Sequence, residues 1–473
     1  MSKHQNTEEV MNKKILSAIV SLSLIAAIIV SCGIFNVFAD NGAASSDAAV
    51  ANGDSTVYPR APITDEDFIT IKGEKFFNQR GEEVVFRGTN VGGWLIQEEW
   101  ICPTRNSDGQ YDILTTLTNR FGAEEAERLI SLYEDNWFTE YDMDIIANMG
   151  FNCIRVPFWY RNLQSDDNGT WKRTADGQLD FSRLDWIVEQ AGKRGIYVII
   201  DLHGAVGRQS NKDHSGLSGD GHYFDDTPEG DRYRYLTCNL WVEVAKHFRH
   251  NPVVAAYDLM NEPMCDWVPA KHLKLWQAYD ELYDAVRRVD LDHSIIMCCT
   301  WTPGCVPNPN YYGWDNVAYS LHNYIDSPLV YLAEFSMINT LHYNVPFFMG
   351  EFKPGSRAPW SFVLGEYNRL NYGWTTWSYK GYASWATDWF IVNTAGSDTD
   401  LRVDIDNDSV EEIERKWGEA LRTENSFKIM QELYDIQVKY ATGCYDRKDN
   451  VRYYFHIKDS IAGILAYFGI HIG

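Results

Sequence analysis

Two glutamates end apolar runs far apart in the chain: Glu262 in A-A-Y-D-L-M-N-E-P and Glu351 in F-F-M-G-E-F. Short continuous apolar runs are the mark of strands buried on both faces. Pro263 cannot extend an interior strand, so Asn261 and Glu262 belong at a strand's C-terminal mouth. Two carboxyls brought to one mouth can divide the work of acid catalysis and nucleophilic attack. Either glutamate alone could equally be a solvated strand end, so the elements around them have to supply the context.

Strand patterns recur at 84–90, 151–156, 196–202, 253–259, 294–300, 317–321, 345–350 and 372–377. Helical patterns lie between most of them. Phe181, Leu184, Ile187, Val188 and Ala191 form one apolar face over 182–194, with Ser182 and Asp185 as the expected cap and Gly195 as the stop. Segments 232–249, 270–290, 329–343 and 357–370 read similarly. Eight strands alternating with helices predict an α/β fold, a parallel (β/α)8 TIM barrel with long loops at its C-terminal face. Residues 68–86 alternate apolar and polar and predict a β-hairpin flooring the barrel. Two further helices are expected after the eighth strand, one capped by Ser409 with Glu412, the other around 426–440.

The strand ends of such a barrel converge. They would deliver Trp94 and Glu98 from strand one, Arg155 from I-R-V-P, Asp201 and His203 from D-L-H-G, and Asn261 with Glu262. His322 and Tyr324 in L-H-N-Y, Glu351, and Trp377 in W-T-T-W-S-Y complete the set. Each has an ordinary structural explanation, but polar residues recurring at the same end of successive strands make independent explanations improbable. His203, His214 and His222 with Asp201 and Asp213 lack the spacing of a metal site, and no cofactor motif is present. Two carboxyls without metal or cofactor suit glycoside cleavage, with one protonating the leaving oxygen and the other acting at the anomeric carbon. Arg155 is the counter-charge expected beside the attacking carboxylate.

Composition agrees with a neutral ligand. The chain has 473 residues, a formal net charge of −24, 17 Trp, 28 Tyr and 22 Phe. That charge repels phosphate backbones, which excludes nucleic acid as a natural partner. The aromatic content leaves rings for the apolar faces of sugars. Lys13 and Lys14 precede an apolar run from Ile15 to Val30, so residues 1–39 read as an export signal, with V-F-A before Asp40 as the cleavage site. Ile29-Val30-Ser31-Cys32 supports a second reading, a lipoprotein signal with Cys32 as membrane anchor. Either reading, like a retained membrane anchor, places the enzyme outside the cytoplasm, secreted or at the cell surface. Residues 40–62 read as a flexible linker, 63–443 as the catalytic domain and 444–473 as a C-terminal tail without an assigned role.

The chain resembles glycoside hydrolase family 5 (cellulase family A) over most of residues 68–390. It is most similar to the exo-β-1,3-glucanase branch, through F-R-G-T-N-V-G-G-W-L-I-Q-E-E-W-I-C-P-T and D-L-H-G-A-V-G-R-Q-S-N-K-D-H-S-G. The resemblance implies Glu262 as acid/base and Glu351 as nucleophile in a double displacement with retention. It implies that Glu98, Arg155, His203, Asn261, His322, Tyr324 and Trp377 bind the sugar or orient the carboxylates. A paired phenylalanine clamp of that branch is replaced by Lys212 and Ser327, and its eighth-strand W-S-W by W-S-Y ending in Tyr379. The expected substrate is a β-linked glucan or oligosaccharide. Action on β-1,4- or mixed-linkage glucan, transglycosylation, and a non-catalytic carbohydrate-binding barrel are the alternatives.

Overall fold

A computed structural model of the protein describes residues 60–264, 272–300, 302–383, 385–394 and 400–445. The export readings at 1–39, with Cys32, lie outside the described residues, as do most of the linker and residues 446–473.

Eight parallel strands close into a barrel. They are β1 (Arg87–Asn90), β2 (Cys153–Trp159), β3 (Tyr197–Gly204), β4 (Val254–Asp258), β5 (Ser294–Cys298), β6 (Val317–Asn323), β7 (Phe347–Phe352) and β8 (Gly373–Thr376). Each falls within one of the eight segments expected from sequence or overlaps it. Strand β8 pairs with β1 through Trp374–Arg87, Thr375–Gly88 and Thr376–Thr89, which completes the circle. The first strand starts later than its apolar run because Glu83–Val84 pair instead with Lys75–Phe77 in an antiparallel ribbon.

That ribbon is the barrel floor. Its Ile69 and Phe76 join Phe86, Ala255, Ala256, Ile296 and Phe348 in one buried cluster. The Phe86 ring meets Phe76 at 4.9 Å, Tyr197 at 5.7 Å and Phe348 at 6.3 Å. Water is thus excluded from the bottom of the barrel, and the polar strand ends sit only at the top.

Helices cover the outside. The long ones between strands are Ser182–Lys193, Pro228–Phe248, His272–Arg287, Pro328–Leu341 and Trp360–Arg369, with three helices between β1 and β2. The first of these is not capped by Ser182. Phe181 takes the N-cap position, its carbonyl accepting the Asp185 N–H at 2.8 Å, while Asp180 accepts the Ser182 N–H at 3.0 Å. Gly195, at φ +67°, ends it as expected. Between β5 and β6 the described residues form only the 3-10 turns Pro303–Cys305 and Pro309–Tyr311. Three prolines in this stretch remove the donors that a helix would need. After the barrel, Val410–Trp417 is capped by the Ser409 hydroxyl and Gln431–Ala441 follows, both as expected.

Among the described residues no helix is long and apolar enough to cross a membrane. The described cysteines 102, 153, 238, 298, 299, 305 and 444 are free thiols, and all but the last are buried.

Truncating Phe86 to Ala should destabilise the protein by about 3–5 kcal/mol, the usual cost for a buried phenylalanine. Chemical denaturation measures this, and a loss under about 1 kcal/mol would mean that the ring does not close the floor.

Candidate active site

Arg155 lies at the centre of the barrel mouth, with no exposure. Its side chain comes from β2 and is held on every side. Nε donates to Asp258 at 2.8 Å, and Nη1 donates to Glu351 at 2.7 Å and Asn90 at 3.0 Å. Nη2 donates to Asn261 at 2.9 Å and stands 2.9 Å from Asp201. Burial opposes the guanidinium charge, yet Asp201, Asp258 and Glu351 hold its pKa above the ordinary value. Burial also pushes the Asp201 and Asp258 carboxyls up to about 7, against the lowering by Arg155.

Glu351 ends β7 through a local irregularity. The β6–β7 register pairs Leu321 with Met349 and then His322 with Glu351, skipping Gly350. A Cβ on Gly350 would stand 2.2 Å from Ser320 Oγ and 2.9 Å from His322 Nε2, so only glycine permits this approach. Tyr324 O–H donates to Glu351 Oε2 at 2.7 Å, while His322 Nδ1 stands 3.5 Å from the same oxygen.

Glu262 follows β4 in a turn where its own φ is +36°, a conformation that side-chain-bearing residues rarely adopt. His322 Nδ1 contacts its Oε1 at 2.8 Å, and His214 Nδ1 stands 3.2 Å from Oε2. Burial lowers His322 and His214 to about 4 and His203 to about 3, so all three rings are neutral at pH 7. His203 Nδ1 contacts Asp201 at 2.7 Å, and its Nε2 lies 3.3 Å from Asn261 Nδ2. Glu262, His322 and Glu351 each place one donor atom within 4.8 Å of the others. The nearest oxygens of the two carboxyls are therefore no farther apart than that. Retaining glycosidases hold their carboxyls about 5–5.5 Å apart and inverting ones about 6.5–9.5 Å.

The remaining expected residues are placed as follows. Glu98 is buried, accepts from Trp100 Nε1 at 2.9 Å, and has no hydrogen-bond partner for Oε1 among the described residues. Its pKa is raised well above the carboxylate range, first by burial and then by Asp213. Trp377 is 2% exposed, its ring stacked on His203 at 5.4 Å and 9°. Trp94, by contrast, turns away from the mouth and donates to the Glu134 carbonyl at 2.9 Å. His222 is apart from the other histidines in its contacts and pairs with Asp225 at 2.9 Å. Neither Lys212 nor Ser327 offers a ring. Trp389 instead stacks on Tyr324 at 5.8 Å and meets Trp100 edge-on at 5.2 Å, with exposed Trp385 on the same loop.

The profile described as "Cellulase (glycosyl hydrolase family 5)" matches residues 118–383, more than half of the chain. The chain belongs to glycosyl hydrolase family 5. The chain is similar to a beta-xylosidase of Phanerodontia chrysosporium, 29% identical over 54% of this chain and 52% of that protein. It is similar also to the probable glucan 1,3-beta-glucosidase A of Aspergillus fumigatus (strain CBS 144.89 / FGSC A1163 / CEA10), 31% identical over 45% and 49%. The glucan 1,3-beta-glucosidase of Candida oleophila is 30% identical over 43% and 48%. The chain thus spans about half the length of the curated relatives it matches. A solved endogalactoceramidase structure aligns at 18% identity over 67% of this chain and 75% of that one, with a TM-score of 0.49.

Two residues of this family 5 site, Asp258 and Gln209, escape a reading of strand ends alone. Asp258 lies inside the apolar run A-A-Y-D, where a buried carboxylate signals a buried cation. Gln209 is hidden in a polar loop, yet it staples the Glu262 turn to β3. Its Nε2 donates to the His203 and Asn261 carbonyls at 2.7 and 2.9 Å, and its own carbonyl accepts from Met264 N at 2.9 Å.

Replacing Arg155 with Met would leave its carboxylates buried without a counter-charge. A loss of about 3–5 kcal/mol is expected in denaturation, and an unchanged midpoint would show that the cluster is not held by this charge. A second test concerns Glu334, which accepts from Asn323 Nδ2 at 2.7 Å behind the β6 end and is pushed up to about 8 by burial. A pKa raised by folding gives a contribution present below the unfolded pKa and lost as pH rises through the folded one. Glu334→Gln should therefore gain on the wild type from about pH 4.5, near the unfolded value, up to about pH 8. A difference in stability that stays flat with pH would contradict this.

Proposed function

We propose that the protein is a retaining β-glycosidase acting on β-glucan, most similar in action to a glucan 1,3-β-glucosidase, with Glu262 as acid/base and Glu351 as nucleophile. The observation that carries the reading is the approach of the two carboxyls to within 4.8 Å. That gap suits direct attack on the anomeric carbon and is too small to admit the water that inversion requires.

In the first step Glu351 attacks the anomeric carbon as Glu262 protonates the departing oxygen, giving a glycosyl ester at Glu351. In the second, Glu262 takes a proton from water, which displaces Glu351. Arg155 and the Tyr324 hydroxyl orient the Glu351 oxygens. His322 reaches both carboxyls and so fixes their relation. Asn261, steered by Arg155 and His203, is the group for the sugar hydroxyl next to the reacting carbon. Glu98 offers a further hydrogen-bonding carboxyl, and Trp377 forms a wall on His203. The ring pair Tyr324–Trp389 and the exposed Trp385 give the leaving-group side an aromatic face. The leader at 1–39 supports export, with anchoring at Cys32 as its variant.

A second reading keeps the chemistry and changes the sugar. It is supported by the beta-xylosidase relative, which is about as similar as the glucosidases.

Glu351→Gln should reduce hydrolysis by several orders of magnitude, and a 2-deoxy-2-fluoro glycoside should label Glu351 in the wild type. Substantial activity in the variant, or a label elsewhere, refutes the assignment. Assays on laminarin, lichenan, carboxymethylcellulose and aryl β-xyloside separate the substrate readings. Glucose alone from laminarin supports exo action, long oligosaccharides overturn it, and turnover of the xyloside alone selects the second reading.

A further inference from the structure

We infer that His214 is a positioning residue for the acid/base: it holds one oxygen of Glu262 while His322 holds the other, and so sets the plane of the carboxyl that must deliver the proton. The inference rests on Glu262 being the proton donor.

The terminal torsion of a glutamate is broad and roughly two-fold. A contact at each oxygen restrains that torsion more tightly than a contact at one oxygen. Nδ1 of His322 at 2.8 Å from Oε1 and Nδ1 of His214 at 3.2 Å from Oε2 contact both oxygens, and the plane is then fixed. A proton donor a fraction of an ångström or a few tens of degrees out of line loses much of its effect.

The backbone on both sides supports a fixed geometry. Glu262 itself sits at φ +36°. His214 lies in the 3-10 turn Asp213–Ser215, where the Ser215 hydroxyl donates to the Ser210 and Lys212 carbonyls at 3.1 and 2.7 Å. The Tyr111 N–H ties Gly216 at 2.8 Å, and Arg208 Nη1 ties the Leu217 carbonyl at 3.0 Å. The His203 ring stands edge-on to His214 at 5.9 Å and 77°. The neutral ring carries one proton, and the tautomer with that proton on Nδ1 directs it at the glutamate. Nε2 of His214 is buried and has no hydrogen-bond partner among the described residues, and Nδ1 is the ring atom that faces Glu262.

The test separates help to the leaving group from general damage. Purified full-length wild type, His214→Ala, His214→Asn and Glu262→Ala are assayed for kcat/KM on 2,4-dinitrophenyl and phenyl β-glucosides, or the matching glycosides of the sugar selected above. Dinitrophenolate leaves without a proton, whereas phenolate needs one. His214→Ala should lose about ten-fold or more on the phenyl glycoside and less than about three-fold on the dinitrophenyl one. His214→Asn, whose amide nitrogen falls near the Nδ1 position, should recover most of the phenyl activity and guards against a folding defect in the alanine variant. Equal losses on both substrates in His214→Ala, with Glu262→Ala still selective, overturn the role of His214 alone. An unselective Glu262→Ala overturns the assignment of Glu262, and this inference with it.

Discussion

The barrel mouth is built around one buried positive charge. Arg155 faces Asp201, Asp258 and Glu351 in a region from which water is excluded. One guanidinium cannot neutralise three carboxylates, and the low dielectric of the interior makes an uncompensated charge expensive. Burial eases the deficit, because it pushes the Asp201 and Asp258 carboxyls toward their neutral forms against the lowering by Arg155. The guanidinium is planar and forked, so it fixes directions as well as charge. The residues that it touches come from β1, β3, β7, and β4 with the turn beyond it, so the cluster also sets how these strand ends stand relative to one another.

Around that centre the three histidines act as neutral struts. Burial keeps them uncharged, so they add directional contacts without adding to the electrostatic load. His203 links Asp201 to Asn261, and His322 links the two glutamates. The sealed floor beneath, with Phe86 among its rings, leaves these polar groups only the open top at which to meet a ligand.

Much of this was legible in the chain. Eight apolar runs became eight barrel strands because runs buried on both faces tolerate few alternatives. The polar residues at their ends are legible because a parallel barrel gathers its strand ends at one rim. Three kinds of information were harder to read. Trp94 points into the helix layer, since a Gly-Gly turn leaves direction open. Asp258 looked like part of a strand, and only its partner makes it part of the site. Gln209 and His214 lie in a loop whose path depends on backbone contacts far apart in sequence. The Pro303–Pro309 segment agrees with the sequence in a different way: it carries no helical pattern, and its prolines leave turns between β5 and β6.

Tyr324 carries a consequence for how the enzyme can diversify. Its hydroxyl is bonded to Glu351 and its ring face is stacked on Trp389. Under the roles proposed above, one side chain serves both the attacking carboxylate and the aromatic face beside it, so a change made there for a new leaving group also disturbs turnover. Trp385 reaches into solvent from the same loop as Trp389. Natural drift or laboratory selection toward new acceptors has its freest path through such loop positions, where the recognition surface is uncoupled from the carboxylates.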